Sequence, residues 1–121
     1  ARSLVPKPVI ESDKDATFGI IAYGSTEPAV TEARGLMMQS GGPKTAFLRL
    51  RALPCTAEVQ DFINKFERIY IVEANRDGQL RQILSAVLPD QASKFRSACH
   101  SDGLPLTAKW VKATILAQEE K

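Results

Sequence analysis

The residues that most often announce chemistry are scarce in this chain. Among 121 residues there is one histidine, His100, and there are two cysteines, Cys55 and Cys99. The cysteines lie far apart and form no CxxC pair, so with a single histidine they make no strong zinc site. A reduced, cytoplasmic compartment is a simpler setting for them than a disulfide. No apolar run approaches the roughly 18 residues of a membrane span. No basic stretch leads into an apolar one, as it would in a secretory signal. Sixteen Lys and Arg stand against fourteen Asp and Glu, for a net charge of +2. They are mixed along the chain without a basic block, which argues against a nucleic-acid or membrane footprint. Neither GxGxxG nor GxxxxGK followed by Ser or Thr occurs, and there is no internal repeat or low-complexity segment.

What remains is an ordinary globular mixture. Hydrophobic residues make up 44% and charged residues 25%, which suits one domain with one core rather than a disordered or fibrous protein. The chain begins with Ala1 rather than Met, so either the initiator is removed or the sequence is a piece of a longer protein.

The pattern along the chain is an alternation of strands and helices. Residues 1–15, "ARSLVPKPVIESDKD", show no period, and Pro6 and Pro8 favour extended backbone before them; the expectation is a linker or an arm on a surface. Residues 16–121 read as a single α/β domain. "TFGIIAYG" is a strand buried on both faces, the habit of parallel sheets. "STEPAVTEARGLMMQSGG" is a helix, with Ser25 or Thr26 as cap, Glu27 and Pro28 suited to its first turn, and Val30, Ala33 and Met37 on one face. In "KTAFLRLRALP", Ala46, Leu48 and Leu50 point one way and Phe47, Arg49 and Arg51 the other. "TAEVQDFINKF" carries the stripe Val59, Phe62, Ile63 and Phe66. "RIYIVE" is a third strand, and "GQLRQILSAVLP" a helix with Leu80, Ile83, Leu84 and Val87 in its stripe. "FRSACH" is a short fourth strand, "SDGLPL" a turn, and "TAKWVKATILAQEEK" a closing helix capped by Thr107, with Trp110, Val111, Thr114 and Ile115 inward. Short connections in this order call for a three-layer α/β/α fold around a mostly parallel sheet of four to five strands.

In such sheets ligands meet the carboxyl ends of the strands. Three ends are readable: Gly24 to Glu27, Arg51 to Cys55, and Glu73 to Gly78. "YGSTEP" offers a helix N-terminus to an anion, yet Glu27 would repel a phosphate, and plain capping explains it as well. Arg49 and Arg51 share a strand face, fit either to grip a carboxylate or phosphate or to bridge to a helix or neighbouring domain. Cys55 as a nucleophile wants a basic partner that the sequence does not place near it, and Ser25 as the nucleophile of a small hydrolase lacks a base in the same way. "CHSDG" brings Cys99, His100 and Asp102 together, but local adjacency is not how catalytic triads are built; Asp102-Gly103 is turn chemistry. In "EANRDGQL", Asn75 and Asp77 suit a turn, Asp77 is placed to cap the helix, and Gly78 relaxes the backbone. Arg76 at the ligand edge is more than a turn requires, which leaves a pure turn and a binding or interface role side by side.

Taken in order, "VPKPVIE", "GIIAYGSTEPAVTEA", "LRLRALP", "VEANRDGQL" and "DGLPLTAKWV" resemble the C-terminal part of the alpha subunit of 2-oxoacid:ferredoxin oxidoreductases, over nearly the whole chain. The region is also similar to the transketolase C-terminal domain, which carries a comparable strand-end "LR…P" and a Glu-rich strand tip before a Gly helix start. The resemblance implies a parent complex that converts a 2-oxoacid and coenzyme A to acyl-CoA and carbon dioxide, with electrons passing through iron–sulfur clusters to ferredoxin. Thiamine diphosphate with magnesium would supply the carbanion chemistry, from other domains or the beta subunit. The chain agrees by what it lacks. It has no GDG motif with a distant Asn for magnesium and diphosphate, and no four-cysteine set for a cluster. No catalytic, cofactor-binding or metal-binding residue is therefore carried over. The expected role is assembly: Arg49, Arg51, Glu73, Asn75, Arg76 and Asp77 are the candidate interface toward the rest of the alpha subunit or a beta subunit. The alternative is a free-standing α/β module that binds a small anion or a protein at the same edge.

Overall fold

A computed structural model describes residues 7–51, 56–101 and 105–120. Its elements run β1 (Val9–Ser12), β2 (Phe18–Tyr23), α1 (Glu27–Gln39), β3 (Thr45–Leu50), α2 (Ala57–Asn64), β4 (Ile69–Glu73), α3 (Gln79–Val87), β5 (Phe95–Cys99) and α4 (Ala108–Glu119), with 3-10 turns at Gly24–Thr26 and Pro89–Lys94. The sheet has five strands in the order β1-β3-β2-β4-β5. β2 pairs in parallel with β3 and β4, and β4 with β5, while β1 lies antiparallel on β3. The reading of a mostly parallel sheet of four to five strands holds.

Alternation along the strands sorts the core into two layers. Phe18, Ile20 and Ala22 of β2, Phe47 of β3 and Tyr70 and Val72 of β4 face Val30, Ala33 and Met37 of α1 and Val111 and Ile115 of α4. Ile21, Leu48, Leu50, Ile69 and Ile71 face Val59, Phe62 and Ile63 of α2 and Leu80 and Leu84 of α3. On that second face Gly19 of β2 lies against the Phe62 ring, and a Cβ there would meet Phe62 at 2.8 Å. The absent side chain is what lets α2 sit down on the sheet.

The first correction concerns residues 1–15. Val9–Ser12 is an edge strand in register with Ala46–Arg49, so this part of the expected linker belongs to the sheet. Arg34 of α1 ties it down. Its guanidinium donates to Thr45 Oγ1 at 2.8 Å, to the Thr45 carbonyl at 3.0 Å, and to Glu11 and Asp13 at 3.3 Å each. Asp13 in turn accepts the Thr45 N–H at 2.9 Å. The sequence hid this strand because Val9 and Ile10 stay exposed and only one edge of it is paired.

The second correction concerns α3. Leu80 and Leu84 are buried, but Ile83 is 42% and Val87 47% exposed. The expected stripe is wider than the surface the sheet offers. Trp110 is half-buried and stacks on His100 with ring centroids 5.4 Å apart. Thr107 does cap α4, accepting the Trp110 N–H at 3.1 Å. Thr26 does not cap α1 with its side chain; its hydroxyl donates back to the Tyr23 carbonyl at 3.2 Å. Cys55 and the Asp102-Gly103 turn lie outside the described residues. No described helix is long and apolar enough to cross a membrane.

Candidate functional site

The strand order places the site. From the carboxyl end of β2 the chain leaves toward β3, and from the end of β4 it leaves toward β5, on opposite sides of the sheet. Between such strands the connecting loops diverge and open a crevice. A cleft of about 420 Å³ lies there, within the roughly 300–1,000 Å³ common for small-molecule sites. Tyr23, Leu50 and Glu73 contribute its strand-end side chains, and Leu80 and Ile83 of α3 form one wall. Ser25, Thr26, Asn75 and Gln79 supply polar groups.

Glu73 organises this edge. It ends β4 and is 6% exposed. Its carboxylate accepts the Leu80 N–H at 2.5 Å, the Arg81 N–H at 3.1 Å and the Asn75 side-chain amide at 3.0 Å. These two backbone donors belong to the first turn of α3 and have no partner within the helix, and a negative charge there is favoured by the helix dipole. Asn75 Oδ1 accepts the Asp77 and Gln79 N–H groups at 3.1 and 3.3 Å, which folds the turn. Gly78 occupies the N-cap position at φ 62°, ψ 47°, a left-handed conformation in which an L side chain is strained. The expected cap, Asp77, is exposed instead, and its carbonyl accepts from Gln82 Nε2 at 2.6 Å. The sequence pointed to the residue beside the helix, whereas the capping carboxylate comes from the strand before the turn.

The interface candidates divide into two groups. Arg49 lies on the α1 face, where it pairs with Glu11 at 3.0 Å and Glu27 at 3.9 Å and covers the Phe47 ring at 5.6 Å. It binds β3, β1 and α1 to one another rather than facing the strand-end edge, the intradomain alternative of the sequence reading. Glu73 and Asn75 form the capped tip. Arg51 and Arg76 are exposed at the strand-end edge with Asp77. Cys99 donates a weak hydrogen bond to the Arg76 carbonyl at 3.6 Å, and the His100 N–H bonds to the Glu73 carbonyl at 3.2 Å.

The most perturbed titratable cluster sits at the other end of the sheet. Arg68 grips the Glu119 carboxylate with Nε at 2.6 Å and a terminal nitrogen at 2.5 Å, and the Tyr70 hydroxyl donates to the same carboxylate. The Arg68 hydrogen bonds hold Glu119 below the usual carboxylate range. Burial, and then the bond to Glu119, push the Tyr70 phenol above its usual value. The cluster joins the end of α4 to the start of β4, away from the cleft.

Comparison with known proteins agrees with this architecture. In fold, the chain is a transketolase-like α/β domain. It superposes on a split-gene transketolase, an inactive beta4 tetramer, with a TM-score of 0.75 and 17% identity, covering 97% of this chain and 42% of that one. It superposes on a 2-oxoglutarate:ferredoxin oxidoreductase from Magnetococcus marinus with a TM-score of 0.78 and 24% identity, covering 95% of this chain and 20% of that one. That structure holds 2-oxoglutarate, coenzyme A and succinyl-CoA. In sequence, the chain is 30% identical over 91 residues to the alpha subunit of 2-oxoacid:ferredoxin oxidoreductase 2 of Aeropyrum pernix. The match takes in 71% of this chain and spans 14% of that relative. No protein-family model matches the chain. The resemblance noted in the sequence is thus supported by a curated relative and by solved structures of the same fold.

No three His, Cys, Asp or Glu among the described residues converge to hold a metal ion. The N-termini of α1 and α3 carry the carboxylates of Glu27 and Glu73.

Proposed function

We propose that this chain is the C-terminal, non-catalytic assembly domain of a 2-oxoacid:ferredoxin oxidoreductase alpha subunit. Its parent complex would oxidatively decarboxylate a 2-oxoacid to acyl-CoA, with ferredoxin as electron acceptor. Thiamine diphosphate with magnesium and iron–sulfur clusters would act from other domains or from the beta subunit. The observation that carries the reading is the strand-end edge. Exposed charged groups, Arg51, Arg76 and Asp77, sit on a tip held rigid by the Glu73 and Asn75 hydrogen bonds. Rigid, solvent-facing charges fit a packing surface for the remainder of the alpha subunit or for a beta subunit, and they set register more than raw affinity. The relatedness to an alpha subunit supports placing this surface within a larger complex.

The test is Arg76→Ala in the intact complex. Weaker subunit association, or a raised Michaelis constant with kcat retained, is the expected result; unchanged assembly and kinetics would remove the interface role. The free-standing anion-binding alternative is less well supported, because Glu73 already occupies the first donors of α3 and Glu27 places a negative charge at the start of α1.

A further inference from the structure

The cleft between β2 and β4 has a chemistry opposite to the common one at strand carboxyl ends. There, backbone N–H groups at a helix N-terminus usually await an anion. Here Glu73 accepts the Leu80 and Arg81 N–H groups of α3, and Glu27 accepts the Gly24 N–H before α1 at 3.2 Å. Both helix starts therefore carry their own negative charge, which repels an incoming carboxylate or phosphate, and at α3 the first donors are already taken.

The rest of the lining mixes apolar side chains with the polar Ser25, Thr26, Asn75 and Gln79. Tyr23 and Ile83 border the cleft, 54% and 42% exposed, with Leu50 and Leu80 buried between them. Strand alternation turns Tyr23, Leu50 and Glu73 toward the same face, one residue beyond the Ala22–Val72 pair in the case of Tyr23 and Glu73. An aromatic ring thus stands next to a buried carboxylate. Oε1 of that carboxylate takes two hydrogen bonds, from Leu80 and Asn75, and Oε2 takes one, from Arg81. Each carboxylate oxygen accommodates about two donors, so Oε2 retains capacity for another. The side-chain carbonyl of Gln79 adds a second acceptor type at the mouth.

We propose that this cleft binds a small, flat molecule bearing N–H donors, uncharged or cationic, of the amino- or amidino-substituted aromatic class. Its ring lies against Tyr23 and Ile83, and its donors meet Glu73 and Gln79. Cation–π attraction to the Tyr23 face adds to the preference for positive charge. The proposal does not rest on the assembly reading, since it is argued only from residues of this chain that line the cleft.

Benzamidine, benzamide and benzoate have the same flat shape and differ in charge, which makes them the probes. Titrated into the 121-residue chain and followed by amide chemical shifts, benzamidine is expected to shift Tyr23, Gln79 and Ile83 saturably. Benzoate should bind at least ten times more weakly, with benzamide between the two. Tyr23→Ala should weaken benzamidine at least fivefold with no change in Tm. Glu73→Gln, in conditions where it folds, should reduce benzamidine to the affinity of benzamide. Equal or tighter binding of benzoate, absence of shifts at these amides with all three probes, or undiminished binding by Tyr23→Ala would each overturn the proposal.

Discussion

The Glu73 carboxylate accepts the Leu80 backbone N–H at 2.5 Å, across seven residues of chain. Strand β4 thereby caps the helix that follows it, and the polar turn between them is fixed from both sides. Hydrogen bonds to a charged group contribute about 1.5–3 kcal/mol each, and a helix cap about 1 kcal/mol. Because the same carboxylate serves several donors, these values do not add. Glu73→Ala should cost about 2–4 kcal/mol on this basis. Glu73→Gln keeps an acceptor oxygen and should cost less. Urea unfolding of both variants gives the comparison, and a Glu73→Ala chain as stable as the parent would show that the cap contributes nothing.

Two glycines make opposite predictions. Gly19→Ala drives a Cβ to 2.8 Å from the Phe62 ring, and overpacking of this kind costs about 1–3 kcal/mol. Gly35 lies inside α1 with open space around the position of a Cβ, so Gly35→Ala should stabilise by about 0.5–1 kcal/mol. Thermal melts of the two variants should move in opposite directions from the parent.

The Arg68–Glu119–Tyr70 cluster makes stability depend on pH at both extremes. Glu119 is lowered by its bonds to Arg68, so its contribution is complete above the ordinary value of 4.5 and is lost as pH falls through the lowered folded value. Tyr70 is raised by burial and by Glu119, so its contribution is complete below 10.0 and is lost as pH rises toward its folded value. Glu119→Gln should flatten the acid limb of a stability–pH profile and shrink the alkaline one. A variant whose acid limb matches the parent would place the acid sensitivity elsewhere.

Arg34 should prove necessary for the first strand. Its bonds to Glu11, Asp13 and Thr45 hold β1 against β3. Arg34→Ala should speed amide exchange at Val9 and Glu11, whose N–H groups face β3, while leaving β4 protected. Uniform loss of protection across the sheet would mean that β1 is not a separate unit.

The parallel strands were legible because they are buried on both faces. "FGIIAY", "TAFLRL" and "IYIVE" can hardly be anything else between their glycines and helical stripes. β1 was not legible, since a four-residue edge strand with exposed Val9 and Ile10 shows neither a continuous apolar run nor a one-sided alternation. The stripe of α3 was read correctly at Leu80 and Leu84. Its extension to Ile83 and Val87 missed because a stripe records which residues are apolar, not how much sheet lies beneath them. At the site, "EANRDG" was legible as a polar turn before a helix, yet the way that turn is held was not. Capping rules look to the residue beside the helix, and the carboxylate from Glu73 reaches it through the fold. Arg49 looked outward for the same reason: its partners Glu11 and Glu27 become neighbours only when β1 and α1 pack on β3.

The central claim is that the exposed strand-end edge serves assembly of a larger oxidoreductase and no chemical step. The most direct measurement uses the complete complex carrying Arg76→Glu, with subunit association followed by sedimentation and 2-oxoacid-dependent ferredoxin reduction assayed on the assembled fraction. The account predicts at least tenfold weaker association, with kcat of the assembled fraction close to that of the parent. Intact association together with a large loss of kcat would contradict it, and would make this edge part of the catalytic machinery.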